Sequence, residues 1–125
     1  MAIEVERIDF VSVPTRDAER ARRFYRDTLG LPESAHTSDE FETANVTLAL
    51  WNPESEGEAF MPNTAGIAVR VPDVAEARRQ LERAGVAFLG ETVDTGVCHM
   101  AFCYDPDGNV LILHRRYAPP DSAPS

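Results

Sequence analysis

The stretch YDPDGNVLILHRRY, from Tyr104 to Tyr117, decides how this chain is read. Its Asp-Pro-Asp-Gly segment has the chemistry of a tight turn: proline presets φ, glycine accepts a positive φ, and aspartate bonds its own backbone. The turn leads into the most apolar strand of the sequence, which carries His114. Val97 to Tyr104 on one side and Asn109 to Tyr117 on the other therefore predict a hairpin.

Upstream of the hairpin, Ala65 to Val71 reads as a strand, Asp73 as the N-cap of a helix running to Ala84, Gly85 as its stop, and Val86 to Leu89 as the start of a further strand. The same order occurs earlier. Glu4 to Val13 has strand rhythm, and Pro14 closes it. Asp17 looks like an N-cap, and Ala18, Ala21, Phe24, Tyr25 and Leu29 recur at helical spacing before Gly30 and Pro32. At an offset of 56, Val13 meets Val69, Asp17 meets Asp73, and Ala21-Arg22-Arg23 meets Ala77-Arg78-Arg79. A strand, a capped helix, a glycine stop and further strands thus occur twice. Between the copies, Glu33 to Ala44 gives a weak signal for two short strands, and Asn45 to Asn52 a clear one. Pro53 to Asn63 reads as a polar loop. The tail from 118 to 125 has no periodicity and is expected to be flexible.

Strand parity sorts the side chains into two faces. One face carries Val11, Val13, Val46, Leu48, Leu50, Ile67, Val69, Val71, Leu111 and Leu113, a set suited to packing under helices. The other carries Phe10, Ser12, Thr47, Ala49, Trp51, Gly66, Ala68, Arg70, Ile112, His114 and Arg116. Small, aromatic and polar residues mixed in this way suit the wall of a cavity.

FYRDTLGLP after the first helix and DPDGNVLIL near the end, set in a duplicated chain, resemble the vicinal oxygen chelate superfamily, the group of glyoxalase I, bleomycin-resistance proteins and extradiol dioxygenases. The resemblance covers about residues 5–117 of one domain: module one at about 5–52, a loop at 53–64 and module two at about 65–117. It implies an α+β fold of two tandem βαβββ modules, each a curved mixed sheet, around a cleft, and often a homodimer. Metal enzymes of this family take one ligand from each of four inward strand positions, normally His, Glu or Gln. Here those positions are Phe10, Thr47, Gly66 and Ile112. Three of these side chains have no donor atom and the fourth offers one hydroxyl, so the usual metal is not expected and no other cofactor is implied.

Composition narrows the functions further. The 125 residues and 43% hydrophobic content fit one globular domain with a real core. No apolar run approaches a membrane span, and the N-terminus lacks a signal-peptide pattern, so a cytoplasmic protein is expected. A net charge of −9 argues against nucleic acid as a partner. All twelve basic residues are arginines, and none lies between Pro32 and Ile67. That window holds Glu33, Asp39, Glu40, Glu42, Glu54, Glu56 and Glu58, a solvated region or an acidic rim for a cationic ligand. Cys98 and Cys103 are too far apart along one strand for a disulfide and are expected to be free thiols.

The expected ligand-binding residues are Phe10, Thr47, Trp51, Gly66, Arg70, Met100, Phe102, Ile112 and His114. Met100 and Phe102 belong to this set only in one register of the hairpin. If Tyr104 instead paired with Asn109, His99 would lie across from His114 as a possible metal pair. The reading that results is a metal-independent small-molecule-binding protein of sequestration or antibiotic-resistance type, holding an apolar or aromatic ligand in the cleft. The alternative is an enzyme, a lyase, isomerase or cyclase that uses His114 as its acid or base, or one with a metal at displaced ligands.

Overall fold

The computed structural model describes residues 1–119. The chain divides into two compact units between Pro62 and Asn63.

The first unit contains β1 (Phe10–Pro14), α1 (Ala18–Arg23) continuing into a π-helical segment (Phe24–Thr28), β2 (Glu40–Glu42), β3 (Thr47–Trp51) and a short 3-10 turn (Pro53–Glu56). Its sheet has the order β1-β3-β2, with β1 parallel and β2 antiparallel to β3. The second unit contains β4 (Ile67–Arg70), α2 (Val74–Arg83), β5 (Phe88–Asp94), β6 (Cys98–Tyr104) and β7 (Val110–Arg116). Its four-stranded sheet has the order β4-β7-β6-β5, again with its first and last strands parallel. The α+β architecture read from the sequence is present.

The two helix starts are near copies. Asp17 sits at φ −145°, ψ 93° and accepts the Arg20 N–H at 3.1 Å. Asp73 sits at φ −146°, ψ 109° and accepts the Glu76 N–H at 3.0 Å. Each extended aspartate satisfies an orphan donor of the first turn, a contribution of about 1 kcal/mol. Gly30 and Gly85 follow the helices with φ of 72° and 88°, the left-handed conformation that glycine adopts at no steric cost.

Several boundaries differ from those expected. β1 begins at Phe10 rather than Glu4, and Ile3, Val5 and Ile8 are exposed. The apolar rhythm of residues 4–9 is real, but the paired register with β3 begins at Phe10 opposite Thr47. The first helix changes to π geometry, with the Leu29 N–H donating to Phe24 five residues back. The wider turn buries the neighbouring Phe24 and Tyr25 together, their rings edge to face at 5.1 Å. The two short strands expected over 33–44 reduce to β2 and one bridge, Glu33 to Phe41. Module one therefore has three strands where βαβββ implied four. The loop after Trp51 opens with the 3-10 turn, capped by Asn52. From residue 120 onward the tail lies outside the described residues.

The core sits on the face expected for it. Val13, Phe41 and Leu48 are buried in the first unit, and Ala101, Cys103, Leu111 and Leu113 in the second, where α2 adds Val74 and Leu81. The hairpin turn is closed by buried polar groups. One carboxylate oxygen of Asp105 accepts the N–H groups of Asp107 and Asn109 at 2.8 and 2.9 Å, and the other accepts Asn109 Nδ2 at 2.8 Å. Asn109 Oδ1 in turn accepts the Asn63 N–H at 2.8 Å, which ties the approach to β4 onto the start of β7. Among the described residues no helix is long and apolar enough to cross a membrane.

Candidate functional site

The registers decide which side chains share a face. In the first unit Phe10 lies beside Thr47, Ser12 beside Ala49 and Pro14 beside Trp51, while Glu40 and Glu42 of β2 lie beside Ala49 and Thr47. Partners across a register point to the same side of a sheet. Phe10, Thr47 and Trp51 therefore share the face opposite the core, as their parity implied. Phe10 is 57% and Trp51 41% exposed, against 0% for Phe41 on the other face. Part of the acidic window reaches this face, where the Thr47 hydroxyl donates to the Glu42 carboxylate at 3.1 Å.

In the second unit the hairpin takes the register that sets Met100 beside His114 and Phe102 beside Ile112. Arg70 lies beside His114 on the other flank, and Ala68 beside Ile112. Arg70, Met100, Phe102, Ile112 and His114 thus come together on one face. His99 does not join them. It pairs with Arg115 on the opposite face, so the His99–His114 metal pair is excluded by register. Its Nε2 lies 3.4 Å from Asp94, whose other carboxylate oxygen accepts the Tyr117 hydroxyl at 2.8 Å. The Gly96 N–H, then the Tyr117 hydroxyl, hold the Asp94 carboxyl below its usual range, and the same bond to Asp94 raises the Tyr117 phenol. This cluster fastens the β5–β6 turn to the end of β7.

β5 adds two residues that the sequence reading lacked. Leu89 pairs with Phe102 and Val93 with Met100, and both are exposed, at 58% and 41%. A register shift separates them, and Gly90 within it has φ 68°. The polar run Gly90-Glu91-Thr92 hides the continuation of the strand expected from Val86 to Leu89, because a bulge breaks the period-two signal.

The four positions at which the resemblance implies metal ligands do not fit a metal. Phe10 and Thr47 lie side by side, and Gly66 lies against Ile112. A Cβ on Gly66 would stand 3.0 Å from Ile112 Cδ1 and 3.2 Å from Val110 Cγ1, on a backbone at φ 95°. Among the described residues no group of three or more His, Cys, Asp or Glu is placed to hold a metal ion. The left-handed backbone and the crowding both oppose a side chain at Gly66. Gly66→Ala is expected to cost about 1–3 kcal/mol in urea unfolding; a loss within a few tenths would mean that Ile112 yields.

The first unit also contains a cavity of about 230 Å³ whose lining includes Thr15, Asp39, Leu50, Trp51, Ser55 and Glu56. Of these, Trp51 is an expected binding residue, and Asp39 and Glu56 belong to the acidic window. Asp39 there is paired with Arg22 at 2.6 Å.

Both cysteines are free and buried. Burial, and then the negative charge of Asp105, push the Cys103 thiol up to about 11. The folded protein keeps this proton to higher pH than the unfolded chain, so the contribution to stability is lost as pH rises from the ordinary thiol value toward 11. At pH 8 iodoacetamide is expected to label Cys103 at least about a hundredfold more slowly than a free thiol. Rapid labelling of the native protein, read by mass spectrometry, would contradict this.

Residues 7–113 match the sequence model described as Glyoxalase/Bleomycin resistance protein/Dioxygenase superfamily. Among curated proteins none matches. A member of that superfamily from Sphaerobacter thermophilus superposes with a TM-score of 0.74 at 23% identity, over 88% of this chain and 97% of its own. TnmS3, an antibiotic binding protein from a Streptomyces species, gives a TM-score of 0.74 at 26% identity, over 92% and 99%. A lactoylglutathione lyase from Agrobacterium tumefaciens gives 0.73 at 17% identity, over 89% and 94%.

Proposed function

The chain belongs to the Glyoxalase/Bleomycin resistance protein/Dioxygenase superfamily, and from that premise we propose that it is a metal-independent protein that binds an apolar or aromatic small molecule. The observation that carries this reading is the open face of the second sheet. Met100, Phe102 and Ile112 form an apolar floor there, and Leu89 and Val93 extend it while remaining exposed in the chain. Neighbouring apolar side chains left exposed on a sheet face are what ligand sites use. Gly66, Arg70 and His114 border the floor, and Phe10, Thr47 and Trp51 form a second candidate binding face, on the first sheet.

Likeness to an antibiotic binding protein supports sequestration as the role. The superfamily contains enzymes too, but an acid or base at His114 would need a group to orient the imidazole. Among the described residues no side chain or backbone group bonds to that ring. The free cysteines support a reducing, cytoplasmic setting, and a homodimer is the assembly that accompanies this reading.

Equilibrium dialysis with the uncharged aromatic 2-naphthol tests the reading. Saturable binding is expected in wild type, unchanged after exhaustive dialysis against EDTA, and at least about fivefold weaker in Phe102→Ala. Binding that required zinc or iron would overturn the metal-independent claim. An unaltered affinity in Phe102→Ala would move the ligand off this face.

A further inference from the structure

Resting on that reading, the geometry points to a narrower ligand class: we propose an aromatic carboxylate, with its ring on Phe102 and Ile112 and its carboxylate at Arg70, beside His114.

The first ground is charge. The chain carries 21 acidic residues against 12 arginines. Yet the paired positions of β4, β6 and β7 on this face include Arg70, His114 and Arg116 and not one Asp or Glu. Glu91 lies in the shifted stretch of β5, three strands from Arg70, or about 14 Å at the usual strand spacing. Three neighbouring strands that present bases and no acids here, in so acidic a chain, suit an anion.

The second ground is Arg70 itself. Most arginines of this protein meet a carboxylate, as Arg22 meets Asp39 and Arg78 meets Glu82. Arg70 is exposed, and among the described residues no carboxylate lies within ion-pair distance of it. A guanidinium left open presents a fork that matches a carboxylate with two parallel N–H bonds. The imidazole of His114, one strand away in register, offers a further N–H.

The third ground is spacing. The Arg70–His114 row and the Ala68–Ile112–Phe102 row are two residues apart along the strands, about 7 Å. That is the separation at which one molecule can lay a fused ring on the apolar row and extend a carboxylate to the basic one. An uncharged ligand that covered the face would strip water from Arg70 without replacing its bonds.

Three compounds with the same ring test this on the full chain: 2-naphthoate, 2-naphthamide and 2-naphthylmethylammonium, titrated at fixed ionic strength. The naphthoate is expected to bind about tenfold tighter than the amide, the lower end for a bond to a charged group because Arg70 is exposed. The ammonium compound should bind weakest. Arg70→Gln should bring the naphthoate to the level of the amide, with an unchanged thermal midpoint showing that the variant folds. Equal affinity for all three compounds would overturn the anionic assignment and leave the binding reading in place. Failure of all three to bind saturably would overturn both. A naphthoate preference that survives Arg70→Gln and disappears in Arg116→Gln would remove Arg70 from the assignment.

Discussion

Asp105→Ala is expected to lower the unfolding free energy by about 3 kcal/mol, although it removes only a few atoms from a turn. Asp105 is 5% and Asn109 2% exposed. Removal of the carboxylate takes this acceptor from two backbone N–H groups and Asn109 Nδ2, all of which now bond to it within 2.9 Å. A buried donor that loses its acceptor costs about 1–3 kcal/mol. The damage spreads, because Asn109 also holds the Asn63 N–H, and Val110 donates to the Asn63 carbonyl at 2.9 Å. Those two bonds fix where β4 begins against β7. Asp105→Asn keeps an acceptor for the two backbone groups but faces Asn109 Nδ2 with a second donor, so an intermediate loss of about 1–2 kcal/mol is expected. Urea titration of the three proteins decides. A loss below about 1 kcal/mol for Asp105→Ala would mean that solvent enters the turn and that the closed polar box does not set the register.

That turn explains why the fold was legible in the sequence. An aspartate, proline, aspartate and glycine before an alternating apolar strand leave few ways to close a hairpin, and the doubled Asp-capped helix fixes the order of elements around it. The register of the hairpin was not legible from periodicity, since one residue of slip exchanges His99 for Met100 opposite His114. It follows from three-dimensional contacts, including the bond from the Tyr117 N–H to the Val97 carbonyl at 2.9 Å. Leu89 and Val93 escaped because a bulge breaks the alternation between them. The crowding of Gly66 by Ile112 depends on two chain segments meeting, and no local pattern encodes it. Residues 4–9 differ in the opposite sense: they alternate, but among the described residues the pairing with β3 begins only at Phe10.

The second large effect is expected where the sequence signal was weakest. Phe41 is the lone large apolar residue between Leu31 and Val46, in a window otherwise short, polar and acidic. In the structure it is fully buried, opposite Leu48 across β2 and β3, with its ring 6.1 Å from that of Tyr25. Phe41→Ala removes the anchor of a three-residue strand and leaves a cavity, and a loss of about 3–5 kcal/mol is expected. Phe10 provides the matched comparison, since it is the same residue type on the same sheet and faces the other way. At 57% exposure, Phe10→Ala should cost less than about 1 kcal/mol. The pair separates the buried face of this sheet from its exposed face. If Phe10→Ala were as destabilising as Phe41→Ala, Phe10 would be core, and the first sheet would have no open aromatic face.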